Sequence, residues 1–429
     1  MFEPEEIGRC LATDDSHEGG CHAVVTLNEE IVETHKPKAP AEESIHMKNL
    51  REWHISSGGL LDSIFLHEES GEMEMIAHED IEKGDIVAFI PETMFLTVKG
   101  AFENSPIVKR MDHMQITEKL KTPAGVAPLA IYVMEQRRDP ESPWKDYLET
   151  MPKEFTNHPI FWTEEEMKML QGSEIVSYVK NFRKKLEADY KLISSNIEDL
   201  KEFTEQEFME TFKLVQSRMF GLTNEENAHV VSAMVPIGDN FNHRSKFNVE
   251  WGYGNNGLGD SGVIFNALEK IPKGEQIYTS YGTKSNFQLL TQYGFVEKHN
   301  HVKQPLFLRH IAVFENDPNK DLKLEFLNKA PHFQLMINEN IDAKQTQEAL
   351  SVLRVIYFDD IENVHKLMGQ VDRYNQMKHV APISNRAELK VLHELIKLCH
   401  IRLGEYPRTI QGDVDMLKVE QPPNAMTAI

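Results

Sequence analysis

The stretch DNFNH, Asp239 to His243, sets two amides, a carboxylate and an imidazole around one phenylalanine. It follows the apolar run AHVVSAMVPIG, which has the composition of core. Asp and His are metal ligands, but no second pair of ligands stands at a recognisable spacing. Such side chains also satisfy buried backbone groups, or hold a polar ligand by hydrogen bonds. Spacing alone leaves these readings open. A second group is GEQIYTSYG, Gly274 to Gly282. Tyr278 and Tyr281 are three apart, so in a strand they point to opposite faces. A tyrosine followed by glycine at a strand end can present its hydroxyl to a site. TQYGF repeats the pair at Tyr293 and Gly294. Cys10, His17, Cys21 and His22 fit no common zinc spacing, so no metal is expected.

The elements that must position these groups are legible in outline. Residues 59–97 read as short strands around the turn EKGD (82–85). Helices follow. TEEEMKMLQG opens with a capping box, Thr163 with Glu166, and TEQEFMETFKLVQSRMF repeats the device with Thr204 and Glu207. In the latter, Phe208, Phe212, Val215 and Met219 recur at helical spacing, and Arg218 falls in the last turn. GVIFNALEKIPKGEQIYTSYG reads as two strands around PKGE (272–275). Beyond PLFLRHIAVF (305–314) the chain becomes helical, with Leu389, Leu392, Ile396, Cys399 and Leu403 on one face of the longest segment. Residues 1–44 are acidic and aperiodic, as in a disordered leader.

The chain has 429 residues, enough for two domains, and a net charge of −22. That charge disfavours nucleic acid, which wants clustered Lys and Arg, and suits basic protein segments. No apolar run approaches the ~20 residues of a membrane helix, and the N-terminus is not a secretory signal. Three cysteines make no disulfide framework, pointing to a reducing compartment, cytoplasmic or nuclear.

Taken together, VPIGDNFNH and IPKGEQIYTSYGTKSNFQLLTQYGFVE resemble the C-terminal half of a SET domain, and AHEDIEKGDIVAFIPETMFLT resembles its opening. SPWKDYLETMP, IFWTEEEMKMLQGS and SRMF resemble the helical insertion of one subclass, the enzymes similar to the Rubisco large-subunit lysine methyltransferase and the actin-histidine methyltransferase. LRV (353–355) and LGEYPRTIQGD resemble that subclass's substrate-binding domain. The resemblance spans about residues 47–415. It implies an α+β fold: a disordered leader 1–44, then a SET domain 45–300 with a knot-like C-terminal crossing and a helical insertion at about 110–220. An all-α substrate-binding domain, 301–429, completes it.

The resemblance further implies transfer of a methyl group from S-adenosylmethionine to a protein side chain. Cofactor residues would be Asp85, Val87 (through its backbone), Arg218, Asp239, Asn242 and His243. Tyr281 would be catalytic, with Phe220 and Tyr293 lining the acceptor channel. Phe220 favours a lysine acceptor, since the histidine-specific relative carries a hydrogen-bonding Asn there. A histidine acceptor, or a non-catalytic peptide-binding scaffold, is the alternative. Glu72 and Glu74 stand where the family has glycines, a departure that bears on cofactor access. A monomer that docks a protein substrate on its helical domain is expected.

Overall fold

The computed structural model describes residues 44–417, apart from 62, 70–71, 154, 224–229, 258, 312–316, 327–331, 339–342, 358–381 and 383. The leader, with Cys10, His17, Cys21 and His22, lies outside the described residues, as do Gly71 and the side chain of Glu72.

The chain opens with α1 (Ile45–Ser56), whose N-cap Ser44 accepts from the Met47 N–H. Strands β1 (Ile64–Glu69) and β2 (Glu72–Ala77) form an antiparallel hairpin. β3 (Ile86–Pro91) and β4 (Leu96–Thr97) follow. The helical insertion then runs through α2 (Val98–Asn104), α3 (Pro106–His113), α4 (Val126–Arg138), α5 (Lys145–Glu149), α6 (Glu164–Met169), α7 (Glu174–Asn196) and α8 (Glu205–Arg218). The Thr163 and Glu166 capping box is complete in both directions. Thr204 accepts from the Glu207 N–H, while the Glu207 carboxylate pairs with Arg138 instead of reaching back. Phe208, Phe212 and Val215 are fully buried along one face of α8.

Strand character returns with β5 (Met219–Thr223), β6 (Val230–Met234), β7 (Asn242–His243), β8 (Val249–Asn255), β9 (Ser261–Ala267) and β10 (Tyr278–Thr279). Three-stranded sheets form in the orders β3-β9-β8 and β4-β6-β5, and β7 pairs with β10 in parallel. One continuous core joins these sheets to the insertion. Helix α9 (Asn286–Tyr293) is closed by Gly294, whose φ of +85° suits glycine.

The remainder contains β11 (Leu306–Ile311), α10 (Lys320–Phe326), β12 (His332–Ile337), α11 (Lys344–Ile356), α12 (Asn385–Leu403) and α13 (Ile410–Leu417). It has its own core around Leu308, Leu335, Leu353, Val391 and Leu398. Two expectations are corrected here. The region is not all-helical, because β11 and β12 pair in antiparallel register from Leu306↔Ile337 to Ile311↔His332. HFQLMI alternates with period two, which is a strand signal. The core-facing side of α12 is also rotated from the expected one. Val391 and Leu398 are buried, whereas Leu389, Leu392, Ile396 and Leu403 are 57%, 38%, 54% and 65% exposed.

Candidate functional site

A cleft of about 790 Å³ lies where the hairpin, the insertion and the β7–β10 pair meet. Its floor is made by the end of α8 and the turn Gly238–Asn240. Ile237 enters that turn at φ +71°, a rare conformation for a β-branched residue.

Arg218 organises the floor. Its Nη1 donates to the Asp239 carbonyl at 3.1 Å and to Asn240 Oδ1 at 3.4 Å, and lies 3.3 Å from Asp239 Oδ2. The fully buried Tyr147 hydroxyl donates to the same Oδ2 at 2.6 Å. Burial pushes the Asp239 carboxyl above the usual carboxylate range, and Arg218 and Tyr147 pull it back. Two polar atoms of the floor are left over. Asp239 Oδ1, an acceptor, and Asn240 Nδ2, a donor, are buried without a hydrogen-bond partner. Orphaned buried groups of this kind are costly, so a complementary ligand would complete both.

The strand pair forms the next wall. Asn242 Nδ2 donates to the Met73 carbonyl of β2 at 2.9 Å. The Tyr281 N–H donates to His243 Nδ1 at 3.0 Å, which makes that nitrogen the acceptor of a neutral ring. Burial lowers the His243 pKa in the same direction, against a smaller raising effect of Glu297. The His243 and Tyr281 rings stack with centroids 5.2 Å apart, and Tyr293 lies 4.9 Å from Tyr281. Phe295 closes the aromatic group, 6.4 Å from Tyr281. The Tyr281 hydroxyl donates to the Phe241 carbonyl at 2.9 Å, and burial holds it well above the ordinary phenol range. Burial likewise pushes Tyr293 up to about 12. Neither tyrosine is poised to act as a base near neutral pH.

Arg218, Asp239, Asn242, His243, Tyr281 and Tyr293 therefore share one cleft. Asp85, Val87 and Phe220 are not among the residues that line this cleft. The exposed Asp85 carboxylate accepts from the Glu82 N–H and caps the turn before β3. The Val87 side chain is core, 1% exposed, and the contact expected of this residue is through its backbone. Phe220 packs edge-on against Trp251 at 5.0 Å, away from the cleft lining. The early-chain wall comes one strand sooner, from Met73 and Glu74 of β2. Sequence reading missed Tyr147, Asn240, His46 and His158. Asn240 sits inside the DNFNH run and was within reach. The other three carry no local signal, since their link to the cleft is made only by folding. Among the described residues, no group of three or more His, Cys, Asp or Glu side chains is arranged to hold a metal.

Comparison with known families decides what this arrangement is. Residues 72–282 match the SET domain, and residues 314–428 match the Rubisco LSMT substrate-binding domain. The chain carries a SET domain followed by a substrate-binding domain of the Rubisco LSMT type. The actin-histidine N-methyltransferases of Mus musculus and Homo sapiens are each 26% identical over 392 residues, covering 87% of this chain. The chain spans 63% of the length of those relatives. The SET domain of LSMT bound to lysine and AdoHcy superposes with a TM-score of 0.69 at 20% identity, covering 89% of this chain and 86% of that one. Rubisco LSMT bound to AdoMet gives 0.66 at 19% identity, covering 90% and 87%. The fold is that of the SET domain joined to an LSMT-type substrate-binding domain.

Proposed function

We propose that this SET-domain protein is an S-adenosylmethionine-dependent protein methyltransferase with lysine as its acceptor. The observation that carries the reading is the pair of orphaned atoms on the cleft floor. The amino-acid end of S-adenosylmethionine offers the complement, an ammonium for Asp239 Oδ1 and a carboxylate for Asn240 Nδ2 and Arg218. Asn242 and His243 would hold the nucleoside end. When bound, the cofactor supplies a methyl group on a sulfonium.

The protein's own residues would do the rest. Methyl transfer is an in-line displacement, so fixed geometry supplies much of the rate. A lysine acceptor must first lose its proton, which from a reference pKa of ~10.4 costs roughly 4–5 kcal/mol at pH 7. Desolvation among Tyr281, Tyr293 and Phe295 lowers that cost. The proton leaves to water, since Tyr281 is held protonated and its hydroxyl is already donating to Phe241. Asp85 and Val87 contribute on this reading through the strand they support, and Phe220 through its packing on Trp251. Residues 301–429 dock the protein substrate, and the enzyme acts as a monomer.

A histidine acceptor is the second reading, favoured by the activity named for the actin-histidine relatives. A scaffold without turnover is the third, favoured by Glu74 on the cleft wall. The first test is calorimetric titration of the full chain with S-adenosylmethionine, beside His243→Ala. Micromolar binding lost in the variant supports the enzyme reading, and no binding by the wild type overturns it. Methyl-labelled cofactor and a cell extract then separate the acceptors. Acid hydrolysis yielding labelled methyl-lysine supports lysine, whereas labelled methyl-histidine replaces it with the second reading.

A further inference from the structure

Helix α8 carries Arg218 at its end and, five residues earlier, a lysine that nothing above uses. Lys213 is 1% exposed. Its Nζ donates to Gln216 Oε1 at 2.6 Å and to the Thr291 carbonyl at 2.7 Å. It also lies 5.7 Å from the centroid of the Phe182 ring of α7. Among the described residues no carboxylate pairs with it, and burial pushes it down to about 7. A neutral amine has two N–H groups, and two acceptors are present. Taking a lysine out of water without a counter-charge is expensive, and a methionine would fill the same space at no such cost.

The position of its second acceptor gives the reason. Thr291 lies in the last turn of α9, where helix carbonyls lack an intrahelical partner. The same turn delivers Tyr293 to the cleft. Gly294 follows, and a Cβ there would come within 3.2 Å of the His158 ring. His158 is itself buried, and burial first and the neighbouring Lys213 amine second hold its pKa well below the ordinary imidazole value. Lys213 is thus a direct side-chain link from the helix that carries Arg218 to the turn that carries Tyr293.

We propose that Lys213 is a positioning residue for the acceptor channel: its amino group clasps the last turn of α9 to α8 and so sets Tyr293 against Tyr281. This rests on the methyl-transfer reading. The experiment compares full-length wild type, Lys213→Met and Lys213→Gln. Melting temperature, S-adenosylhomocysteine affinity, label incorporation into a cell extract at saturating S-adenosylmethionine, and the crystal structure with S-adenosylhomocysteine are measured for each. The Met variant is expected to melt no lower than wild type and to bind S-adenosylhomocysteine within about twofold of it. Its incorporation rate is expected to fall about tenfold, with the Tyr293 ring displaced from Tyr281. The Gln variant, which keeps an N–H donor, retains more of the rate. An unchanged rate, equal losses in the two variants, or affinity lost in step with rate overturns the proposal. If wild type transfers no label, the methyl-transfer reading fails, and the Tyr293 position in the structures then decides alone: an unmoved ring overturns the clasp.

Discussion

The floor of the cleft and the outer face of α12 break opposite rules. The floor sets a largely buried Arg218 against the buried Asp239 and Tyr147, and Lys213 is buried five residues earlier on the same helix. The α12 face leaves Leu389, Ile396 and Leu403 more than half exposed. Buried charge is expensive and persists only where partners surround it. Exposed hydrocarbon is common on protein surfaces and costs little by itself. The difference teaches where stability has been given up. In the cleft the loss is large and its geometry is specific. On α12 it is small and the face is permissive.

Four measurements test that contrast. The largest effect belongs to Lys213. Its pKa falls on folding from ~10.4 to about 7, so the unfolded chain binds the extra proton between those values. Stability is therefore lost as pH falls from 10.4 to 7, by roughly 4–5 kcal/mol relative to Lys213→Met. Denaturant titrations of both proteins across that window check it, and parallel curves would show an amine that stays charged. Next is Arg218→Met, expected to cost about 3–5 kcal/mol by stranding the Asp239 charge. Chemical denaturation measures it, and a loss under 1 kcal/mol would mean that Asp239 is protonated in the fold. Tyr147→Phe removes one donor from Asp239 Oδ2 and should cost about 1–3 kcal/mol. In thermal melts its effect should shrink once Arg218 is also replaced, because the two share one acceptor. Smallest is Ile396→Ser on α12, expected within about 0.5 kcal/mol. A larger loss would show that this face is covered in solution.

Much of the fold was readable because it rests on local rules. The Thr163 cap, the buried stripe of Phe208, Phe212 and Val215, and the EKGD and PKGE turns depend on residues close in sequence. The site was readable where one short motif carries it, as in Asp239, Asn242 and His243. It was not readable where distant segments converge. Tyr147 meets Asp239 across 92 residues, and no periodicity encodes that. Asp85 shows the local use that competes with any distant one: its carboxylate caps its own turn by accepting from the Glu82 N–H. On α12, Leu389 and Ile396 form a good apolar stripe, yet packing chose the neighbouring stripe of Val391 and Leu398. An amphipathic pattern with two candidate stripes does not say which one meets the core.

The parallel pairing of Asn242 with Tyr278 and of His243 with Thr279 sets an order of events during synthesis. A chain emerging from the ribosome has Arg218, Asp239 and Asn242 in hand long before Tyr278 appears. His243 cannot receive the Tyr281 N–H, nor can the aromatic wall close, until the stretch through Phe295 has arrived. Non-local pairing of this kind is slow, because loop closure precedes its reward. The helices of the insertion should therefore form first and binding competence last. In a refolding experiment, far-ultraviolet ellipticity would recover ahead of the S-adenosylhomocysteine binding that the proposed function calls for, and a nascent chain halted before Tyr278 would be folded in part but have no pocket.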